Sequence, residues 1–275
     1  MLMSEGSWGF LEEEISYDKA KYVVIPCPYE ATQTGKRGTD KGCFSIISAS
    51  KLLENFNYEF NFNVKDLIYT SAPLKLSFKP EQAIQEIQKN IEDVIKDNKT
   101  PIIIGGEHTV ALGSLNLGHD FIVFDAHADF REEFNGEKYS HASVIKRMSE
   151  KARVIIIGTR SISLEEKEMI EQEKNVKIFF IDQLDKLDFS YVGRDVWISI
   201  DMDVFDPSIV PNVAVPSPNG INYEFFRKAL NKIFIEKNPI GMDISEIVPS
   251  EDLIGEILSS KCILDFVSLK ELSNS

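Results

Sequence analysis

Three short polar clusters hold most of the candidate chemistry in this 275-residue sequence. Gly105-Gly106-Glu107-His108-Thr109 follows the apolar run PIII, Asp125-Ala126-His127-Ala128-Asp129 follows FIVF, and Asp201-Met202-Asp203 follows VWISI. If each run is a strand, each cluster stands at a strand's C-terminal end, where separate strands can aim side chains into one crevice. In extended backbone, residues i, i+2 and i+4 share a face. Asp125, His127 and Asp129 are therefore expected to point one way, and Asp201 and Asp203 likewise, with Met202 toward the core. Four converging carboxylates without cations would repel and raise one another's pKa, a conflict that a divalent metal resolves. Four Asp and two His form an oxygen-rich, thiolate-free donor set that favours Mn²⁺ over a structural zinc. Six ligands suit two ions sharing bridging carboxylates better than one ion.

Taken singly, the clusters have plainer explanations. Asp-x-Asp after a strand often caps the next turn, and a His beside Gly-Gly can start a helix or simply pack. Together they weigh differently, because three of the four histidines (His108, His127 and His141) fall in or just after them. His119, in Leu117-Gly118-His119-Asp120, reads as a surface turn.

The elements that would position these clusters recur along the chain. Apolar runs rich in Val and Ile occupy 22–26, 67–69, 102–104, 121–124, 154–157, 176–181, 196–200 and 239–244. Continuous apolarity suggests strands buried on both faces, as in a parallel sheet. Helical spacing marks 80–98, 222–236 and 252–272, and 163–174 reads as a charged outer helix. Strand alternating with helix implies a doubly wound α/β fold. Residues 206–220 carry four prolines and follow a strand, so they predict an ordered, non-helical excursion over its C-terminal end.

Composition sets the outer bounds. With 44 Asp+Glu against 30 Lys+Arg, the net charge of −14 argues against nucleic acid as a partner. A hydrophobic fraction of 43% is that of a globular chain. Cys27, Cys43 and Cys262 match no disulfide or zinc spacing and are expected to be reduced. The acidic opening MLMSEGSWGFLEEE does not resemble a signal peptide, and no apolar run is long enough to span a membrane. A soluble, cytoplasmic protein is the expectation.

The clusters resemble a family, the ureohydrolases (arginase, agmatinase and relatives). GGEHT is similar to its Gly-Gly-Asp-His-Ser motif, DAHAD to Asp-Ala-His-x-Asp, and SIDMDVFDP to Ser-x-Asp-x-Asp-x-x-Asp-Pro. The resemblance covers nearly the whole chain and implies one catalytic domain over residues 1–275. That domain would be a three-layer α/β/α arginase-like fold with a mainly parallel eight-stranded sheet. It implies a binuclear Mn²⁺ site, one ion on His108, Asp125, Asp129 and Asp201, the other on Asp125, His127, Asp201 and Asp203. It further implies Asp129 as proton carrier, His141 (in Tyr139-Ser140-His141-Ala142-Ser143) as proton shuttle, and Glu246 (in GMDISEIVP) as the carboxylate that pairs with a guanidinium. Homotrimers or hexamers are the family's usual assemblies.

Within the family, GEKYSHAS is closer to agmatinases than to arginases, which implies hydrolysis of agmatine to putrescine and urea. Glu132, Glu133 and Glu137 give the preceding loop an acidity that suits a substrate with a cationic far end. Arginine, aminopropylagmatine or guanidinobutyrate would use the same chemistry. A one-zinc deacetylase-like amidohydrolase is a further reading, against which His108 and Asp129 argue, and a non-catalytic polyamine-binding relative is another. Pro28-Tyr29-Glu30-Ala31-Thr32-Gln33-Thr34-Gly35-Lys36-Arg37-Gly38 and the residues after it resemble an agmatinase loop, to which no catalytic role is carried over. Departures from the family pattern are Glu107 for Asp, Asn212 and Ala214 for glycines, and Ser217 for a glutamate.

Overall fold

The computed structural model describes residues 8–12 and 15–273, so part of the acidic opening stretch lies outside the described residues. Eight strands form one sheet: β1 Tyr22–Pro26, β2 Ile68–Thr70, β3 Thr100–Ile104, β4 Asp120–Phe124, β5 Val154–Thr159, β6 Val176–Phe180, β7 Asp195–Asp201 and β8 Asn238–Ser245. Their order is β2-β1-β3-β8-β7-β4-β5-β6, and every pairing is parallel. The sheet is thus wholly rather than mainly parallel. A separate two-stranded antiparallel ribbon pairs Phe56–Asn57 with Phe62–Asn63.

The continuous apolar runs have the expected cause. Alternate residues of each strand feed two separate cores. Val24, Ile102, Ile104, Ile122, Phe124, Ile198, Ile200 and Ile244 belong to one, and Val23, Ile25, Ile103, Phe121, Val123, Ile156 and Trp197 to the other. Burying each such side chain contributes about 1.5–3 kcal/mol, on both faces at once.

The first core is covered by α1 Gly42–Ser50, α5 Tyr223–Glu236 and α6 Ile254–Ser273, the second by α2 Pro80–Lys96, α3 Val144–Ser149 and α4 Leu164–Gln172. Helix α2 starts at Pro80, whose missing N–H costs nothing in a first turn, and buries Ala83, Ile84, Ile87, Ile91 and Val94. Helix α4 is closed by a capping box between Ser163 and Glu166. Helices α1 and α3 carry no stripe that stands out in the sequence: α1 buries six of its nine residues, and α3 is six residues long. Among the described residues no helix is long and apolar enough to cross a membrane. The three cysteines are free and buried.

Register brings the site together. Ile104 pairs with Ile244, Ile244 with Ile200, and Ile200 with Phe124. The C-terminal ends of four adjacent central strands, β3, β8, β7 and β4, are therefore level. The three polar clusters and Glu246 are the residues that leave those ends.

Candidate active site

Each strand end leaves the sheet by a different device. After β3, Gly105 and Gly106 turn tightly, and a Cβ on Gly106 would collide with the Tyr29 carbonyl. The chain then enters a 3-10 segment, His108–Ser114. After β7, Met202–Val204 is also 3-10, with the Asp201 carboxylate accepting the Asp203 N–H at 2.9 Å. Asp129 and Glu246 sit in left-handed backbone, at φ 44° and 71°. The strand alternation that suggested convergence thus stops at the strand ends. Turns and two left-handed residues bring the side chains together instead.

The result is a buried knot of acids and imidazoles. His108 Nδ1 lies 3.0 Å from Asp129 Oδ2, 3.2 Å from Asp125 Oδ2 and 3.7 Å from Asp201 Oδ2. His127 Nδ1 lies 2.7 Å from Asp203 Oδ2 and 3.9 Å from Asp125 Oδ1. Two groups have ligand atoms close enough to share an ion: His108, Asp125 and Asp201, and Asp125, His127 and Asp203. Asp125 is common to both, and Asp129 adjoins the first through His108.

Without cations this knot is under electrostatic stress. Burial, reinforced by Asp129 and Asp203, pushes the Asp125 carboxyl up to about 7. Burial, then Asp203, Asp125 and Glu246, raise Asp201 well above the usual carboxylate range. Burial pulls both imidazoles down, but neighbouring carboxylates prevail. His108 is raised by Asp125 and Asp129, and His127 by Asp203 to about 10. Burial lifts Asp203, but His127 outweighs it and holds that carboxyl low.

The residues present fit a pair of divalent ions. Asp125 Oδ2 is buried, and although His108 Nδ1 is 3.2 Å away, no described residue makes a well-aligned hydrogen bond to it. His108 Nε2 meets Ser199 Oγ at 3.0 Å, and Ser199 donates to Asp243 Oδ1 at 2.8 Å, whose other oxygen takes the Trp197 indole N–H at 2.6 Å. A hydroxyl that spends its one proton on Asp243 must accept from His108, which places a proton on Nε2 and leaves Nδ1 as the nitrogen that faces the acids. Burial pushes Asp243 to about 6, opposed first by the charge of His108 and then by the Trp197 and Ser199 donors. Ser199 and Asp243 stand in the motifs SIDMDVFDP and GMDISEIVP, but the sequence assigns neither a role. The available signal was a carboxylate inside an otherwise apolar strand, in register with Ser199.

A cavity of about 350 Å³ opens onto the knot, lined by His108, His127, Asp129, Asp201, Asp203 and Glu246. Gln33, Thr34, Arg131, Phe134, Glu166 and Val215 line it as well. His141 is half-buried beside it, edge-on to Phe134 at 5.6 Å, with Nδ1 3.1 Å from Thr32 Oγ1 and Nε2 3.3 Å from Thr34 Oγ1. Burial lowers its pKa against the pull of Asp129 and Glu107. Glu246 is 4% exposed, and burial raises its pKa, opposed by the His108 N–H and reinforced by Glu107 and Asp203.

Glu107 uses its extra methylene to reach the loop after β1. Its oxygens accept from Thr32 N at 2.7 Å, Thr32 Oγ1 at 2.7 Å, Gln33 N at 2.9 Å and Thr109 Oγ1 at 2.8 Å. Arg160, outside the knot, gathers backbone carbonyls, including those of Asp203 at 2.8 Å and Ser217 at 2.7 Å. It thereby pins the proline-rich excursion over the strand ends. Asn212 donates to Glu256 and to the Val248 carbonyl.

Two sequence expectations change. His119 is not on a surface turn: it is 7% exposed, against Phe121 and Trp197. Glu132, Glu133 and Glu137 do not line the cavity, and Glu132 instead pairs with Lys146 at 3.1 Å and Arg147 at 3.2 Å. The acidity of that loop therefore does not act by lining the cavity.

Residues 20–267 match the arginase family, and the chain belongs to it. It is a metal-dependent ureohydrolase, a hydrolase of C–N bonds in linear amidines, and its two ligand groups fit the binuclear centre typical of that family. The N(1)-aminopropylagmatine ureohydrolase of Synechocystis sp. is 33% identical over 270 residues, covering 90% of this chain and 88% of that protein. The agmatinase of Pyrococcus horikoshii is 30% identical over 250 residues, 87% of each. The crystal structure of the agmatine ureohydrolase of Thermoplasma volcanium superposes with a TM-score of 0.84 at 28% identity, over 96% of this chain and 94% of that one.

Proposed function

We propose that this protein is an agmatinase that hydrolyses agmatine to putrescine and urea with two Mn²⁺ ions. His108, Asp125, Asp129 and Asp201 would hold one ion, and Asp125, His127, Asp201 and Asp203 the other. When bound, such ions supply hydroxide from water near neutral pH. The single observation behind the reading is that one small cavity joins the acid–imidazole knot to a buried carboxylate, Glu246, which has no lysine or arginine partner among the described residues.

The chain's own residues divide the remaining work. Glu246 accepts charge-assisted hydrogen bonds from the planar guanidinium and turns its carbon toward the knot. Asp129 takes the proton released on attack and returns it to the departing amine. His141, kept neutral by burial and set at the cavity beside Thr32 and Thr34, exchanges protons with solvent.

Agmatine as the substrate is supported by the agmatine-hydrolysing relatives and by the His141 loop, not by the loop glutamates. The Synechocystis relative favours a second reading, aminopropylagmatine. Urea release in Mn²⁺ from agmatine, aminopropylagmatine, arginine and guanidinobutyrate tests both. Agmatine should show the highest kcat/KM, with two Mn²⁺ per chain. Preference for aminopropylagmatine selects the second reading, and preference for arginine or guanidinobutyrate overturns both. One zinc per chain would overturn the binuclear assignment.

A further inference from the structure

The loop between β1 and α1 reaches into the site at a residue to which no role has been attached. Gln33 is 2% exposed and lines the cavity. Its Oε1 accepts two backbone N–H groups of its own loop, from Thr34 at 2.8 Å and Gly35 at 2.9 Å. Two donors on one atom fix the amide's orientation, so the NH₂ group must face the other way. There it donates to Glu246 Oε2 at 2.5 Å, while His108 N donates to Glu246 Oε1 at 2.7 Å. Each carboxylate oxygen is thus pinned by one neutral N–H and keeps one lone pair for a ligand. A carboxylate held at both oxygens cannot rotate about its terminal bond, which is what two parallel bonds to a planar guanidinium require.

The loop itself is held rigidly enough for this task. Glu107 accepts the N–H groups of Thr32 and Gln33, Lys36 N donates to the Ala214 carbonyl at 2.9 Å, and Gly35 packs so closely on Ala214 that a Cβ would lie 2.5 Å from its carbonyl oxygen.

We propose that Gln33 is a positioning residue that sets the Glu246 carboxylate for bidentate capture of the substrate guanidinium. This deepens the functional reading above and rests on it. An interaction made equally with bound substrate and transition state appears in KM rather than kcat. A loop that had merely come loose would instead disturb His141 through Thr32 and Thr34, and so lower kcat.

The test uses the Mn²⁺-loaded protein and two variants. Gln33→Met keeps the length but removes both the donor to Glu246 and the acceptor for Thr34 and Gly35. Gln33→Glu keeps the acceptor for Thr34 and Gly35 but sets a carboxyl against Glu246. With two Mn²⁺ per chain retained, KM for agmatine should rise at least about 10-fold in the first variant and about 100-fold in the second, with kcat within about 3-fold. Inhibition by free guanidinium should weaken in parallel. An unchanged KM in either variant overturns the proposal, as does a fall confined to kcat. Failure of both variants to fold also overturns it, because Gln33 would then act by holding its own loop through Thr34 and Gly35 and not by aiming Glu246. If the wild-type protein releases no urea from any compound in the panel, the functional reading fails. If it is active and the variants match it, only the role of Gln33 fails.

Discussion

His108 and His119 are both more than nine-tenths buried, at 1% and 7% exposed, yet they sit at opposite ends of the same sheet. His108 follows β3, with one nitrogen facing three carboxylates and the other on Ser199. His119 precedes β4, with neither ring nitrogen partnered and its ring edge-on to Phe121 at 4.7 Å. The same side chain at similar burial is raised in pKa at one end and lowered to about 4 at the other. Burial pulls both down, and only at the C-terminal edge do carboxylates overrule it. Trp197 touches both environments: its indole N–H reaches Asp243, which holds Ser199, and its ring lies 5.8 Å from that of His119. Buried charge is therefore concentrated at the C-terminal ends of the strands, while at the N-terminal ends a buried imidazole is held neutral against Phe121 and Trp197.

The largest test of this contrast removes charge from the knot. Asp125→Asn should lower urea release by more than about 10³-fold and cut the bound Mn²⁺. The same change should raise the thermal midpoint of the metal-free protein by a few degrees, because it relieves a buried, repelled carboxylate. Equal loss of midpoint in the metal-free and loaded forms would show that the knot is not under electrostatic stress.

A smaller effect belongs to the support behind His108. Ser199→Ala leaves the Nε2 proton and one Asp243 oxygen unpaired, so Mn²⁺ affinity should fall about 10–100-fold, read by metal titration against activity. Unchanged affinity would show that His108 needs no orienting partner.

The smallest effect at neutral pH comes from His119. A buried neutral histidine binds its proton later than the unfolded chain does. Stability is therefore intact above pH 6.5 and is lost as pH falls toward about 4. His119→Phe should match the wild type near pH 7. At pH 5 it should escape a loss of about 2 kcal/mol, measured as the difference in denaturant unfolding. Parallel stability profiles for the two proteins from pH 7 to 5 would mean that His119 does not titrate as its packing implies.

The same contrast explains what could be read from the sequence. The inner strands are legible because both faces are buried, which gives apolar runs such as PIII or FIVF, while the edge strands β2 and β6 are only partly buried and β6 is interrupted by Lys177. Helix α2 is legible because only one face is buried. Helix α1 is not, since Gly42, Ala49 and Ser50 are buried along with its apolar residues and blur any stripe. The ligand candidates are visible because they cluster directly after those runs. The roles of Gln33, Ser199 and Asp243 are not, because each acts through a partner that only the fold brings near. Gln33 and Glu246 are 213 positions apart. His119 misled because glycine and aspartate beside it look like a turn, while its ring folds back onto Trp197.

The position of β8 has a consequence for how the molecule comes into being. This strand, Asn238–Ser245, is last in the chain but lies between β3 and β7 at the centre of the sheet. Until it is synthesised, the facing edges of β3 and β7 have no shared neighbour, and their unpaired N–H and C=O groups stay open to other chains. Its insertion joins contacts far apart in sequence, which is slow and leaves time for aggregation. The strand that closes the sheet is thus also the one from whose end Glu246 emerges, so a chain made only as far as β7 lacks both the middle of the sheet and that carboxylate.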